Sequence, residues 1–563
     1  MGKTKQQRKN NTKQEPVAEV KSLSKNSISL EDKVCIGLLI VVLLFIYVIR
    51  SKFLEIPFER DEGIYSYFGK LVLEGKIPYK DFYEMKFPGL FYLYAFMVKF
   101  FGETIQGVHT GFMYLNIITT VFIYTASRKL FSPISGIISA ITFAVLSMNP
   151  KLSGFTVQSE HGVAFFISMG IMFYAMSKQN KSWYWFLLMG IALGSAFLVK
   201  TSAVFMGLWG GIIIVLEFII VTKGKNFKNF LTNITLYSIG ALSVIGFSFL
   251  LIISKGSLND MIYWVFEYAG KYAGGITLET GLEYLKYTRK AIAENYMFFW
   301  LHCGAALILM WYKGVSNSNR IIGISLLLFS FATTVPGFYF YGHYFIQLIP
   351  GFSVVAGLSA FSVFTITKSF FKNKLKLVSY GYLVLFVLLT YAHINTLKAY
   401  YLKPNYDLIL RQVYGNNPFP EAKVIGDFIN NTSQPEDEIV LIGSEPQIYF
   451  YTQKKCPSRH AYFTAMVANV DEHKEWQREF VKDVENSEPR YFVFFNHRIS
   501  LMVQPNTDNF VFEWANKYIN EHYKLVGLVD MVDGIYSKYV WNEQVVNYQP
   551  QAKSIIYIFE RKD

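Results

Sequence analysis

Long apolar runs separated by short basic clusters dominate this chain of 563 residues. Hydrophobic residues make up 52% of it and charged residues only 17%, so the apolar runs are too long and too many for the surface of a soluble protein. A helix needs roughly 17–25 apolar residues to cross the hydrocarbon core of a bilayer. Several runs of this order predict a mainly α-helical, polytopic membrane protein.

The positive net charge follows from the same pattern. The formal net charge is +13, and Lys and Arg concentrate beside the apolar runs, where they hold cytoplasmic loops in place and meet anionic headgroups. No separate basic patch carries interleaved aromatic residues, so nucleic acid is not expected as a partner. The three cysteines, Cys35, Cys303 and Cys456, have neither disulfide nor zinc spacing.

A helix-length window predicts about eleven membrane spans. They cover residues 34–49, 108–124, 134–146, 162–175, 183–199, 203–221, 230–253, 297–310, 321–335, 344–364 and 377–393. Residues 1–33 form a basic tail that is too long for an ordinary signal peptide, so the first run is expected to stay as an anchor.

Basic clusters predict the orientation of these spans. With the N-terminus in the cytoplasm, alternation places five clusters inside: Arg128-Lys129, residues 178–181, residues 223–228, residues 313–320 and residues 368–376. Each short inside loop is then positively charged, as the positive-inside rule requires. An odd number of spans places the chain after the last span outside.

One apolar stretch, residues 87–101, is not counted among the spans. It opens on Pro88-Gly89 and contains Lys99, and counting it would turn the later basic clusters to the outside. We therefore expect an interfacial helix on the outer leaflet.

Two outer regions are too large for simple connectors. The first outer loop, residues 50–107, belongs to a transmembrane domain of residues 34–397. Residues 398–563 carry more charge and short apolar strands, at 438–443, 491–495, 524–529 and 554–559, with helical patterns near 420–430 and 471–484. They predict an extracytoplasmic α/β domain.

Ionisable and turn-forming residues follow a fixed order in the outer loops. The first outer loop contains Arg60-Asp61-Glu62-Gly63, then Gly75-Lys76-Ile77-Pro78-Tyr79, then Glu84-Met85-Lys86-Phe87-Pro88-Gly89-Leu90. Later outer boundaries carry Gln158-Ser159-Glu160-His161, Lys200-Thr201, Tyr341-Gly342-His343-Tyr344-Phe345 and Gly443-Ser444-Glu445-Pro446. Each piece alone is short, so their significance lies in the order.

This ordered set resembles the GT-C glycosyltransferases, in the bacterial branch related to protein O-mannosyltransferases and the aminoarabinose transferase that acts on lipid A. The sequence departs from the family at two places. Lys86-Phe87-Pro88-Gly89 stands where the family commonly has Lys-Pro-Pro, and Glu160 stands where Asp is more frequent. The resemblance implies a polyprenyl-phosphate sugar donor and an active site at the outer face of the membrane.

A transferase with such a donor must activate an acceptor hydroxyl and stabilise the departing phosphate. A carboxylate supplies general-base help, and the catalytic candidates are Asp61, Glu62 and Glu160. Preorganised cations stabilise the phosphate, and the candidates for binding it are Lys86, Lys200, His343 and Tyr344. Further candidates are Arg60, Glu84 and His161.

Each of these side chains also has a purely structural explanation. Lys86 and Lys200 could snorkel to the interface, and Glu160 could start a helix. The functional interpretation predicts that these residues meet in one cavity on the outer leaflet. Carboxylates beside a phosphate could bind a divalent ion, with Glu84 and Glu160 nearest, but no ligand spacing demands one, so the metal stays unassigned.

The predicted protein is thus a glycosyltransferase of a bacterial inner membrane that moves a sugar onto a glycan, lipid or protein acceptor by an inverting displacement. Membrane lipids are its other expected partners. The alternative is a transporter or flippase for a lipid-linked saccharide, which predicts internal repeats and broken spans. No repeat relates the two halves of the sequence, and the acidic residues lie in outer loops rather than within the spans.

Overall fold

A computed structural model describes residues 29–179, 182–294, 296–370, 375–532, 534 and 536–563. Most of the predicted basic tail, residues 1–28, lies outside the described residues. So do residues 180–181 and 371–374, which belong to two of the predicted cytoplasmic clusters.

Helices account for nearly all regular structure before residue 397. In chain order they are α1 (Leu30–Arg50), α2 (Arg60–Leu73), α3 (Gly89–Phe101), α4 (Ile105–Leu130), α5 (Pro133–Leu146), α6 (Ser159–Gln179), α7 (Tyr184–Val199), α8 (Val204–Leu216), α9 (Phe227–Ser254), α10 (Leu258–Ile262), α11 (Ala269–Ala273), α12 (Leu278–Ala293), α13 (Met297–Leu309), α14 (Asn317–Ala332), α15 (Ile349–Phe370) and α16 (Leu375–Thr396). Single π-helical turns extend α8 and α10, at Glu217–Val221 and Tyr263–Tyr268. Short 3₁₀ segments lie at Ser51–Phe53, Pro150–Leu152, Thr201–Ala203 and Gly342–Gln347.

Each of the eleven predicted spans overlaps one of these helices. Among the described residues, five stretches are long and apolar enough to cross a membrane on their own: Leu30–Phe53, Thr201–Val221, Phe227–Ser254, Ile349–Lys368 and Leu377–Thr396. The bent pair Leu278–Ala293 and Met297–Leu309 makes a sixth if it is counted as one span. The protein is therefore mainly helical with several apolar helices, and the number of eleven crossings stays a prediction.

The stretch predicted to be interfacial forms α3, whose 13 residues are too few for a perpendicular crossing. One face of α3 is buried, and the other exposes Tyr92, Phe96 and Phe100. Gly102 ends the helix with φ of 107°, a left-handed backbone conformation that favours glycine. The location of α3 on the outer leaflet stays a prediction.

Capping side chains and glycines set the local geometry. Ser29, Glu59 and Thr104 accept hydrogen bonds from the first turns of α1, α2 and α4, which satisfies backbone donors that a helix start leaves unpaired. A Cβ at Gly190 of α7 would lie 2.1 Å from the carbonyl oxygen of Tyr237, and one at Gly240 of α9 would lie 2.1 Å from that of Leu187. The two helices pack this closely only because both residues are glycine.

The C-terminal segment, residues 398–563, combines helices with one sheet. Its elements are α17 (Lys398–Leu402), α18 (Tyr406–Tyr414), α19 (Phe419–Thr432), β1 (Ile439–Ile442), α20 (Gln447–Thr452), α21 (His473–Ser487), β2 (Tyr491–Asn496), α22 (Arg498–Leu501), α23 (Phe510–His522), β3 (Tyr523–Asp530), β4 (Lys538–Trp541) and β5 (Ile555–Arg561). The strand order is β1-β2-β5-β3-β4, with β1 and β2 parallel and the other pairs antiparallel. The four predicted strands coincide with β1, β2, β3 and β5, and β4 was not predicted.

Candidate active site

Asp61 lies in the first turn of α2, where the N-cap Glu59 accepts a hydrogen bond from the backbone N–H of Glu62 at 2.6 Å. The Asp61 side chain is half-buried. Its Oδ1 accepts a hydrogen bond from the Tyr462 hydroxyl at 3.1 Å. The start of a helix favours a negative charge, so this position suits a carboxylate side chain.

Lys86 lies at the end of the loop between α2 and α3. Its Nζ is 3.4 Å from Oε1 of the buried Glu84, and the Tyr79 hydroxyl donates to the Lys86 carbonyl at 2.6 Å. Burial alone would lower the pKa of Lys86, but the carboxylates of Glu84 and Asp61 raise it above its ordinary value. Lys86 is therefore positively charged at neutral pH.

A second set of charged residues lies where the ends of three helical segments meet. Glu160, in the first turn of α6, forms an ion pair with Lys200, the residue directly after α7. The Nε2 of His343 lies 3.9 Å from Oε1 of Glu160, and Lys200 Nζ lies 3.9 Å from the centre of the Tyr344 ring. Such a cation–π contact adds to the ion pair in holding the ammonium group.

The two groups lie next to each other. Lys86 interacts electrostatically with Asp61 and Glu160, and both Lys200 and His343 interact with Asp61 and Lys86. Lys200 and Glu160 are 8% and 1% exposed, so these charges act across a poorly hydrated interior, where they interact strongly. The structure thus brings together Asp61, Glu84, Lys86, Glu160, Lys200, His343 and Tyr344, which we call the charged cluster.

Three predicted residues make their contacts elsewhere. Glu62 is fully buried, and its Oε1 lies 2.6 Å from His109 Nε2 and accepts the backbone N–H of Val157 at 2.9 Å. It ties α2 to α4 instead of supporting Asp61 directly.

The other two also have structural partners. His161 Nδ1 accepts the backbone N–H of Gln158 at 3.2 Å. Arg60 points into the C-terminal segment and pairs with Glu445 at 3.2 Å.

Glycine explains how the late motif reaches the cluster. A Cβ at Gly342 would lie 2.1 Å from the carbonyl oxygen of Lys151. Only a glycine lets the 3₁₀ segment Gly342–Gln347 pack this tightly on the loop before α6, and that packing carries His343 and Tyr344 to Glu160.

No local sequence pattern indicates Tyr462, the hydrogen-bond partner of Asp61. It lies 401 residues after Asp61, outside every motif described above. Tyr341 lies inside one of the motifs, and its ring stacks on that of His343 with 5.6 Å between ring centres; the motif by itself indicates no role for it. Among the described residues, no group of three or more His, Cys, Asp and Glu side chains is arranged to hold a metal ion.

Comparisons with known proteins bear on the fold that holds this cluster. The model of the dolichyl-phosphate-mannose-protein mannosyltransferase family matches residues 86–253. The structure is similar to that of ArnT from Cupriavidus metallidurans bound to undecaprenyl phosphate, with a TM-score of 0.56, 12% identity, and coverage of 93% of this chain and 97% of that one. No curated protein sequence matches the chain significantly.

A second similar structure is the archaeal oligosaccharyltransferase AglB from Archaeoglobus fulgidus, in complex with an inhibitory peptide and a dolichol-phosphate. Its TM-score is 0.46 at 12% identity, with coverage of 92% of this chain and 75% of that one. The likeness to ArnT extends over nearly all of both chains and shows the fold. The protein has the GT-C fold.

Proposed function

We propose that the protein is a glycosyltransferase that takes a sugar from a polyprenyl-phosphate carrier and transfers it to an acceptor hydroxyl at the outer face of a bacterial inner membrane. The observation that carries the proposal is the charged cluster, in which the half-buried carboxylate of Asp61 interacts electrostatically with the cations of Lys86 and Lys200. A base and a phosphate-binding group on opposite sides of one point are what such a displacement needs.

In the proposed reaction, the acceptor oxygen attacks the anomeric carbon and its proton moves to Asp61. The bond between the anomeric carbon and the phosphate oxygen breaks, and the carrier phosphate leaves with the bonding electrons. Attack from the side opposite the phosphate inverts the configuration at the anomeric carbon. Lys86 is an electrostatic partner of that phosphate, because its ammonium group is positively charged and interacts with the Asp61 carboxylate within the cluster.

Glu160 has a positioning role in this scheme. Its carboxylate is already engaged by Lys200 and lies beside His343, so it holds two candidate phosphate-binding groups in place. Tyr344 supports Lys200 from the other side through its ring. Preorganised charges of this kind lower a barrier because they need no rearrangement during the reaction.

The test combines glycan analysis with two isosteric variants. Mass spectrometry of cell-surface glycans, with and without the gene, identifies the sugar that depends on this protein. Complementation and purified-enzyme assays with Asp61→Asn should then show transfer lowered by about 10²–10⁴-fold, the usual worth of a general base.

Asp81→Asn is the matched control. Asp81 belongs to the same outer loop, and its Oδ2 accepts the backbone N–H of Ile77 at 2.7 Å, a bond that an asparagine oxygen can also accept. Asp81→Asn should transfer sugar as the unmodified enzyme does. Undiminished transfer by Asp61→Asn would remove Asp61 as the base.

A further inference from the structure

One short stretch of the C-terminal segment contacts both Asp61 and the loop that carries Lys86. Within residues 458–462, which we call the bridging segment, the Tyr462 hydroxyl donates to Asp61 Oδ1 at 3.1 Å. Two residues earlier, His460 Nδ1 lies 2.6 Å from the hydroxyl of Tyr83, in the loop that carries Lys86. Asp61 and the loop that carries Lys86 are thus both held by side chains of a single segment.

The bridging segment is itself anchored to α21. Ser458 donates a hydrogen bond to Asp483 at 2.7 Å, Arg459 Nε lies 2.8 Å from Glu479 Oε1, and His460 Nε2 lies 3.2 Å from Glu479 Oε2. Three consecutive residues therefore contact one helix. A stretch fixed in this way can hold other groups at a set distance, because its own side chains have few alternative conformations.

Packing on both sides supports the same geometry. The Tyr83 ring stacks on Trp264 with 3.8 Å between ring centres, and Trp264 contacts Trp476 of α21 at 4.9 Å. The turn that carries Asp61 is held equally closely. The backbone N–H of Phe58 donates to the Tyr451 hydroxyl at 2.6 Å, and Gly63 lies directly against Gln447.

The chemistry of Tyr462 suits a fixed donor. Burial, and after it the nearby Asp61 carboxylate, raise the pKa of Tyr462 well above its ordinary value, so the hydroxyl keeps its proton. A neutral donor on Oδ1 restrains the rotation of the carboxylate. Hydrogen bonds to a charged group are stronger than those between neutral groups, so the loss of one costs more free energy.

We propose that Tyr462 and His460 are positioning residues through which the C-terminal segment sets the separation between the Asp61 carboxylate and the Lys86 ammonium group. This inference rests on the proposed function for its catalytic consequence, but the positioning itself can be measured without any substrate.

The kinetic test is Tyr462→Phe in the full-length protein. This variant keeps the ring and removes the hydroxyl. With a polyprenyl-phosphate donor that carries the sugar found by the glycan analysis, we expect kcat to fall by about 10-fold to 100-fold while the KM for the donor changes less than about twofold. The matched control is Tyr548→Phe, because Tyr548 donates to Asp530 at 2.7 Å in the same C-terminal segment. An unchanged kcat for Tyr462→Phe would overturn the inference.

The structural test is hydrogen exchange followed by mass spectrometry on detergent-solubilised full-length protein. Tyr462→Phe should speed exchange in the first turn of α2, and Tyr83→Phe should speed it in residues 79–86, whereas Tyr548→Phe should change neither. Unchanged exchange in both peptides would overturn the inference whatever the activity. If the unmodified protein transferred no sugar, only the proposed function would be refuted. The positioning role would still be decided by the hydrogen-exchange measurement. If Tyr462→Phe does not fold, Tyr83→Phe carries both measurements.

Discussion

Glu160 and Lys200 form a buried ion pair between the start of α6 and the end of α7. Both side chains come from points where a helix meets a loop at the predicted outer face of the membrane. A buried pair is held in place less by its own net stability than by the cost of leaving one charge alone. Removing one charge should therefore cost more stability than removing both. This difference distinguishes the structural role of the pair from its proposed catalytic role.

Glu160→Gln and Lys200→Met should each lower the thermal stability of the protein in detergent. Each change strands one buried charge, which costs about 3–5 kcal/mol. The double variant should recover much of the lost stability, because no unpaired charge is left, yet it should not recover sugar transfer. Thermal melts and transfer assays on the four proteins of this cycle make the measurement.

A double variant as active as the unmodified protein would show that the pair only stabilises the fold. Single variants as stable as the unmodified protein would show instead that the pair is not buried as the structure describes it.

Lys86→Met should lower kcat by about 10²–10³-fold, which is typical for the loss of one preorganised electrostatic group. The methionine keeps most of the apolar stem, so packing changes little. Lys80→Met is the control, because Lys80 is an exposed lysine of the same loop, and it should transfer sugar normally. Equal effects of the two substitutions would indicate that the loop responds to its overall charge and not to Lys86.

Features that depend on neighbouring residues could be predicted from the sequence. All eleven apolar runs overlap helices, because a long apolar run has few other ways to satisfy its backbone in a membrane. Lys86, Glu160, Lys200 and His343 were predicted to lie at one face, and the cluster contains all four. Their roles in the reaction stay predictions.

Features that depend on distant residues could not be predicted in the same way. Glu62 follows Asp61 directly, yet its side chain turns to His109 because one helical step rotates a residue by about 100°. Tyr462 reaches Asp61 only because the C-terminal segment packs on α2, and no local pattern encodes that packing. The strand β4, Lys538–Trp541, is as short as β1, Ile439–Ile442, but lacks the continuous apolar run by which β1 can be predicted.

Gly63→Ala should separate α2 from the C-terminal segment. An alanine Cβ would lie 2.3 Å from Gln447 Cβ and 2.6 Å from its Cα, so one of the two chains must move. Overpacking of this kind costs about 1–3 kcal/mol. We expect a lower Tm and reduced transfer, because Asp61 lies two residues earlier on the same turn.

Gly37→Ala is the matched control for this steric effect. Gly37 lies within α1, and an added Cβ there would meet no atom within 4 Å. Its Tm should stay unchanged or rise slightly, because alanine favours a helix over glycine by up to about 1 kcal/mol. If Gly63→Ala behaved like Gly37→Ala, the close contact with Gln447 would be refuted.

Acid should weaken the anchor of the bridging segment through Glu479. The His460 imidazole and the Arg459 guanidinium together lower the pKa of Glu479 from near 4.5 to about 2. A carboxyl group with a lower pKa in the folded state binds fewer protons there than in the unfolded chain. Its contribution to stability is therefore complete above about pH 4.5 and is lost progressively as the pH falls towards 2.

Glu479→Gln removes this titration. The Tm of the variant at pH 6 should be lower than that of the unmodified protein, but it should drop less between pH 6 and pH 3. Glu475→Gln, an exposed position of the same helix α21, should leave the pH dependence as it is. If Glu479→Gln and the unmodified protein lost stability in parallel on acidification, the carboxylate would not be held in its charged form by Arg459 and His460, and the anchor of the bridging segment would have to lie with Ser458 and Asp483 instead.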